Sequence, residues 1–273
     1  CPWILDHPDW YIGTFKKPVS TWEYNSENLS PRDGIQIRIE DGYYTQQEAA
    51  EAFQYTTSLG FGPLYIYHGN DGTSMPWNDT AQLNYLNPRV REEVKKQILD
   101  VARRFKIIRL DAAMTLLRGH YKRLWYPAPK GEDFIPTRDA DPMTQDEFDA
   151  LMPNEFWAEV LHDIQTQAPG TLLLAEAFWL TEKYFVRELG MHRVYNSAFL
   201  NHLRDENNAE LRRYLREIIE SDPTLLENFI NYLTTPDEAP TAESFGCAEK
   251  YFGACTLMAS LPGMPMFGHG QLE

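Results

Sequence analysis

The 273-residue sequence lacks long apolar runs, has few cysteines and is poor in basic residues. No run reaches the roughly 18 apolar residues that a membrane-spanning helix needs, so we expect no membrane partner. Cys1, Cys247 and Cys255 have neither the number nor the spacing of a disulfide framework or a metal site. With 25 basic against 40 acidic residues the net charge is −15, which disfavours nucleic acid as a partner.

The start of the chain also lacks a targeting signal. The opening "CPWILDHPDWYIG" has no Met, no charged segment and no apolar core of a signal peptide. It resembles the middle of a longer chain, and a cytoplasmic location is the default expectation. The composition, 43% hydrophobic and 13% aromatic, is that of a globular protein with a large core.

The composition and the periodicity of the sequence change near residue 88. Residues 1–87 are rich in Trp, Tyr, Pro, Gly and Asn, with two runs typical of strands at 34–44 and 63–69. We interpret them as an irregular, aromatic-rich subdomain with loops. Residues 88–273 have the regular periodicity of a second, larger domain.

In this second part, apolar strand runs alternate with helical periodicity. Helices are predicted at 88–105, 143–170, 181–189, 200–220 and 242–260. Strands are predicted at 105–111, 171–178, 191–199, 228–238 (with a loop) and 264–270. Thr144 and Glu147 form a capping pattern, and Pro153 should break the second helix. The alternation predicts an α/β fold with a parallel sheet, either open and doubly wound or a barrel with three strands missing.

Every predicted strand ends in polar residues, and ligands of parallel α/β folds bind at the carboxyl ends of strands. These residues are Asp111, Glu176, Asn196, Asp237, and His269 with Gln271. Because side chains alternate along a strand, Arg109 should lie beneath Asp111 on one face. The guanidinium would keep Asp111 ionised, as a nucleophile requires, although a purely structural ion pair fits the pattern equally well.

Glu176 ends an almost wholly apolar strand and precedes Phe178 and Trp179. Such surroundings raise a carboxyl pKa, as a general acid needs. If its strand neighbours that of Asp111, the two carboxyl groups could approach the roughly 5–5.5 Å separation of a retaining glycosidase. Asp237 would be a third carboxylate, although "TPDE" is also an ordinary turn or helix cap.

Four ordered motifs, "IIRLDAA", "LLLAEAF", "YLTTPD" and "LPGMPMFGHGQLE", together resemble the catalytic strands of the α-amylase family of retaining glycoside hydrolases and transglycosidases. The segment "TAQLNYLNPRVRE" is similar to that family's exit from its B domain. The resemblance implies an incomplete (β/α)8 barrel, its last five βα units, with a B-type subdomain at the N-terminal end. It implies Asp111 as nucleophile with Arg109 as its partner, Glu176 as acid/base and Asp237 as the residue that grips sugar hydroxyls.

The implied activity is hydrolysis of α-glucans or maltooligosaccharides by double displacement. An α-glucan transferase, or a non-catalytic barrel used for carbohydrate binding or partner assembly, remains an alternative, and the oligomeric state is open. The sequence departs from the family at Met114 and Thr115, where Lys-His is usual, and at Thr235 and Pro236, where Asn-His is usual. The B-domain exit lacks the usual Pro-Asp, so we predict no calcium site, no other metal and no cofactor.

Aromatic residues stack on sugar rings, and histidines contact sugar hydroxyls. On this basis Trp77 and Trp179, with His68 and His269, are predicted to bind substrate. Core packing or turn stabilisation is the alternative for each of them. Tyr67 and Trp125 are further aromatic candidates with the same alternative.

Overall fold

The computed structural model describes residues 3–18, 23–40, 52–58, 62–72, 76–128, 142–178, 180–246, 249–268 and 271. The chain divides into two compact units, Cys1–Gln97 with Thr115–Phe156, and Ile98–Met114 with Trp157–Glu273. The domain boundary at residue 87 stays a prediction. Within the described ranges, no helix combines the length and apolar character that crossing a membrane requires.

The first unit contains a four-stranded antiparallel sheet with the order β1-β4-β3-β2. Its strands are β1 Gly13–Thr14, β2 Ile35–Arg38, β3 Ala52–Thr57 and β4 Leu64–Tyr67. The strands expected at 34–44 and 63–69 are present as β2 and β4, although residues 41–44 lie outside the described ranges. Sequence reasoning missed β1 and β3, because β1 has only two residues and β3 alternates only weakly. That this sheet is a B-type subdomain stays a prediction.

Helices complete the first unit: Trp3–Asp6, Arg118–Trp125 and Gln145–Leu151, with a 3₁₀ turn at Pro8–Trp10. The predicted capping box is confirmed, since Thr144 accepts from the Glu147 N–H and the Glu147 side chain accepts from the Thr144 N–H. The break at Pro153 is also confirmed, because the next helix begins only at Phe156. The helix Pro88–Ala102, predicted from its apolar spacing, carries the chain from the first unit to the second.

The second unit contains a five-stranded sheet with the order β5-β6-β7-β8-β9. Its strands are β5 Ile107–Leu110, β6 Leu172–Ala175, β7 Arg193–Tyr195, β8 Phe229–Tyr232 and β9 Met264–Met266. Each strand pairs in parallel with the next along the chain. The predicted α/β fold with a parallel sheet is confirmed, and all five carboxyl ends meet at one edge.

The second unit's helices are Phe156–Gln167, Ser197–Arg204, Asn208–Ser221, Leu225–Asn228, Thr241–Phe245 and Glu249–Ser260, with a π-helical turn at Tyr184–Glu188. The prediction of one helix over 200–220 is wrong. Glu206 adopts a left-handed φ of 56°, and Asn207 caps a new helix by accepting from the Glu210 N–H. The helix predicted over 242–260 is likewise interrupted at Gly246, whose φ is 73°.

The core of the second unit lies between the sheet and these helices. Strand residues such as Leu174, Tyr195 and Ile230 pack with helix residues such as Phe199 and Met258, all of them buried. A rigid core of this kind fixes the strand ends to which polar side chains are attached.

Candidate active site at the strand ends

Arg109 and Asp111 lie at the carboxyl end of β5, on the same face. The Arg109 Nη1 is 2.7 Å from the Asp111 Oδ1, which confirms the expected pairing. Arg109 is partly buried beneath, whereas the Asp111 side chain is 72% exposed. The carboxylate is therefore presented to solvent while its counter-charge is held in the sheet.

Glu176 follows β6, which is the direct neighbour of β5, as expected. The Glu176 N–H donates to the Leu110 carbonyl (3.0 Å), which extends the ladder by one residue. Its Oε2 accepts from Arg109 Nη2 (3.0 Å) and from the Ala112 N–H (2.8 Å). In contrast to Asp111, the Glu176 side chain is only 8% exposed.

Asp237 lies in the loop after β8. Its Oδ2 is 3.2 Å from Arg109 Nη2, and its side chain is 70% exposed. The Asp237 N–H donates to Thr235 Oγ1 (3.2 Å), and the Glu238 N–H donates to the Thr235 carbonyl (3.2 Å). Thr235 thus forms the turn that orients Asp237.

The three acids form one cluster around one guanidinium. One carboxylate oxygen from each of Asp111, Glu176 and Asp237 lies within 4.8 Å of the others. Oxygen donors so grouped could surround a cation. However, Arg109 already contacts all three carboxylates, so they have a permanent counter-charge and we assign no metal to them.

The electrostatics of the cluster distinguish its acids. Burial raises the pKa of Glu176, and the adjacent Asp111 raises it further, whereas the Ala112 N–H and Arg109 act in the opposite direction. The net effect is a raised pKa, as a proton donor at moderate pH requires. A buried carboxyl group with a raised pKa therefore lies beside an exposed one.

Two residues of this cluster were missed by sequence reasoning. Ala112 has a left-handed φ of 42°, and its N–H donates to Glu176 Oε2. Its sequence neighbours give no signal for that conformation. Tyr195, the last residue of β7, accepts from Arg109 Nε through its hydroxyl (2.8 Å). It could have been found by applying the strand alternation of Arg109 to the other strands.

Other polar residues of the strand ends have contacts of a structural kind. Asn196 caps the helix Ser197–Arg204 and donates to Asn231 Oδ1 (2.9 Å). Gln271 accepts from the Gly268 N–H through its Oε1 (2.9 Å), bracing the loop after β9. Met114, at a position where the family often has a polar residue, is buried.

Two of the remaining predicted substrate contacts lie outside the described residues, and two lie in the first unit. Trp179 and His269 lie outside the described residues. His68 and Trp77 belong to the first unit, where the buried His68 donates from Nδ1 to the Thr80 carbonyl (2.6 Å). Burial lowers the pKa of His68, which favours the neutral form of its ring. Substrate binding by these four residues stays a prediction.

The two further aromatic candidates pack in the first unit. Tyr67 and Trp125 are both buried, with ring centroids 6.1 Å apart. Trp77 is partly buried, and its backbone N–H donates to the Gly69 carbonyl (2.8 Å). Tyr67 and Trp125 therefore have the core packing that the sequence allowed as the alternative.

Comparison with solved structures identifies similar folds. The chain is similar to an α-amylase from H. orenii at 16% identity and a TM-score of 0.55, covering 99% of this chain and 46% of that one. It is also similar to an α-amylase from Geobacillus thermoleovorans complexed with acarbose (11%, TM-score 0.51, 72% and 40%). A third similar structure is the cyclic α-maltosyl-(1→6)-maltose hydrolase from Arthrobacter globiformis in complex with that sugar (16%, 0.50, 76% and 39%).

No family model matches the chain, and no curated protein matches it. The chain spans less than half the length of the three solved structures. The resemblance to α-amylase family enzymes, first suggested by four short motifs, is thus confirmed at the level of the fold. Two of the three similar structures are α-amylases, and the third is a hydrolase of cyclic α-maltosyl-(1→6)-maltose.

Proposed function

We propose that this protein is a retaining glycoside hydrolase that acts on α-glucans or maltooligosaccharides. The observation that carries the proposal is the convergence of Asp111, Glu176 and Asp237 within 4.8 Å around Arg109. One buried acid with a raised pKa and an exposed carboxylate beside it are the pair that double displacement needs. The fold similarity to amylases and to a maltose-oligomer hydrolase supports the choice of substrate class.

The proposed architecture is a (β/α)8 barrel to which β5–β9 contribute five strands. Support comes from their parallel pairing in chain order and from the similarity to an α-amylase over 99% of this chain. The antiparallel sheet of the first unit is then a B-type subdomain, with the boundary near residue 87.

In the first chemical step, Asp111 attacks the anomeric carbon of the bound sugar and forms a covalent ester. The bond from that carbon to the glycosidic oxygen breaks, and Glu176 gives its proton to the departing oxygen. In the second step, Glu176 takes a proton from water, the water oxygen attacks the anomeric carbon, and the Asp111 ester is released. Two displacements leave the anomeric configuration unchanged.

Arg109 and Asp237 assist this chemistry without forming bonds to carbon. Arg109 pairs with Asp111 and directs its oxygen, because the guanidinium contacts it at 2.7 Å. Asp237 accepts hydrogen bonds from sugar hydroxyls, and its negative charge stabilises the oxocarbenium-like transition state.

Two alternatives differ in a testable way. In an α-glucan transferase, a sugar hydroxyl replaces water in the second step, and longer products accumulate. In a non-catalytic barrel the site binds sugar without reaction, which the departures at Met114, Thr235 and Pro236 would favour. The intact acidic cluster favours an enzyme, since binding alone does not require a carboxyl with a raised pKa beside a carboxylate.

The test is incubation of the full-length protein with maltooligosaccharides while proton NMR follows the anomeric signals. We expect new reducing ends in the α configuration, and Glu176→Gln should lose at least about 10³-fold in kcat/KM. The matched control is Glu155→Gln, because Glu155 is a structural acid that accepts from the Arg118 N–H (3.0 Å). Products of β configuration, or a fully active Glu176→Gln variant, would refute the proposal.

A further inference from the structure

We propose that Tyr195 is the positioning residue that orients the Arg109 guanidinium, and through it the carboxylates of Asp111 and Glu176. This inference rests on the proposed function. Tyr195 lies at the end of β7, two strands away from β5, so a core residue of the sheet would set the geometry of the reacting acids.

The hydrogen bonds of Arg109 carry the first step. A guanidinium has five N–H groups in one plane, and their directions are fixed relative to one another. Here Nη1 contacts Asp111, and Nη2 contacts both Glu176 and Asp237. The remaining donor, Nε, gives its hydrogen to the Tyr195 hydroxyl at 2.8 Å. Rotation of the guanidinium would move both Nη atoms away from their acids, and the hydrogen bond at Nε opposes that rotation.

Tyr195 is suited to hold Nε because it is itself held. Its side chain is 0% exposed, and its ring lies 4.7 Å from the ring of Tyr232. It belongs to the core cluster with Phe199 and Leu203. The Arg109 Cζ also lies 5.7 Å from the centre of the Tyr195 ring, within the range of a cation–π contact.

The chemistry of the Tyr195 hydroxyl, which accepts from Arg109 Nε, matters as much as its position. A fourth carboxylate at Nε would also hold Arg109, but it would neutralise charge that the three acids need. A phenol is a neutral acceptor, and burial raises the pKa of Tyr195, which keeps the hydroxyl protonated. Tyr195 therefore orients Arg109 and leaves its positive charge available to Asp111 and Glu176.

The test is Tyr195→Phe in the full-length protein, assayed on maltooligosaccharides across pH. We expect kcat to fall roughly 10–100-fold with KM little changed, because misplacement of reacting groups affects the chemical step. Arg109 lowers the pKa of Glu176, so a loosened Arg109 should move the basic limb of the profile to higher pH. A pH profile and kcat equal to those of wild type would overturn the inference.

Tyr121→Phe is the matched control. Tyr121 is also 0% exposed, and its hydroxyl accepts from the Tyr85 N–H (2.9 Å) and donates to the Leu83 carbonyl (3.0 Å). It belongs to the first unit and not to the acidic cluster. Its loss should lower the melting temperature and leave the pH profile in place, which separates positioning from general stability.

A double-mutant cycle tests whether Tyr195 acts through Arg109. In an Arg109→Lys background, where Nε is gone, adding Tyr195→Phe should reduce kcat by less than about 2-fold further. A second loss as large as in the wild-type background would contradict the inference. If Tyr195→Phe fails to fold, ¹⁵N NMR of the wild type decides instead: the Arg109 Nε–H should exchange slowly with water, and fast exchange would overturn the anchor.

These outcomes separate the two proposals. A wild-type protein that does not act on α-glucans refutes the proposed function, while the NMR measurement still reports on the Arg109 anchor. An active wild type with an unaffected Tyr195→Phe variant refutes the positioning role alone.

Discussion

Two polar clusters lie on neighbouring strands of the parallel sheet. One is charged and partly exposed, and the other is neutral and buried. At β5 and β6, Arg109, Asp111 and Glu176 form a charged cluster of which part is open to solvent. At β7 and β8, Asn196 and Asn231 are each only 1% exposed and bond to each other at 2.9 Å. Both lie on strands of the same parallel sheet, yet only the first combines charge with exposure to solvent.

The difference lies in what remains unsatisfied. The amides of Asn196 and Asn231 have hydrogen-bond partners besides each other, because Tyr214 donates to Asn196 Oδ1 (2.7 Å) and Asn231 Nδ2 donates to the Pro262 carbonyl (3.0 Å). Neutral groups paired in this way stabilise a core and offer nothing to a ligand. The first cluster has three acids against one guanidinium, and its two exposed acids, Asp111 and Asp237, face solvent, where negative charge would stabilise a developing positive charge.

The largest expected difference concerns activity. Asp111→Asn should reduce kcat/KM by about 10⁴-fold or more, since the amide cannot form the covalent ester. The stability of this variant should fall little, because the side chain is mostly exposed and an ion pair in solvent contributes little to folding. Steady-state kinetics and thermal unfolding check both parts. Asp222→Asn, which breaks the ion pair with Arg187, is the control and should leave kcat/KM within a few fold. If Asp111→Asn retained substantial turnover, Asp111 would not be the nucleophile.

The amide network should show the reverse behaviour. Asn231→Leu leaves the Asn196 amide and the Pro262 carbonyl without their partner, and we expect a loss of about 2–3 kcal/mol in the free energy of unfolding. Denaturant titration measures this loss. Kinetics below the unfolding transition should show kcat/KM within a few fold of wild type. A stable variant with abolished activity would place the amides in the reactive site instead.

A smaller effect follows from the raised pKa of Glu176. Because folding raises this pKa, the contribution of Glu176 to stability is present below its unfolded-state pKa and is lost as the pH rises through the folded-state value. Glu176→Gln, which stays neutral, should therefore melt at a higher temperature than wild type near neutral pH. The two should converge below about pH 4. Calorimetry across this range tests the sign, and a variant that is less stable at neutral pH would contradict the raised pKa.

The smallest effect concerns the backbone that turns toward Glu176. Ala112 is held at a φ of 42°, which costs a non-glycine residue about 1–2 kcal/mol. Ala112→Gly should therefore stabilise the protein by roughly 0.5–1 kcal/mol after the greater entropy of unfolded glycine is included. Ala113→Gly, at the next and fully buried residue, should destabilise it. Equal losses in both variants would show that the conformation of Ala112 carries no strain.

The sequence was informative where local pattern and chemistry agree. Strand alternation predicted the Arg109–Asp111 pair, and an apolar run ending in Glu176 predicted a buried carboxyl. For β7 the sequence analysis chose the polar residue after the strand, Asn196, although Tyr195 makes the contact. The left-handed conformation of Ala112 depends on tertiary contacts and leaves no mark in the sequence. The helix break at Glu206 was missed although Asp205, Asn207 and Asn208 beside it are weak helix formers.

The most direct measurement is chemical trapping of the intermediate in the full-length protein. A fluorinated glucosyl fluoride that forms the ester quickly and hydrolyses slowly should inactivate the enzyme, and mass spectrometry of its peptides locates the label. We predict a single label on Asp111 that disappears in Asp111→Asn. A label on Glu176 or on any other residue, or turnover of α-glucans that proceeds with inversion, would contradict the assignment of the acidic cluster.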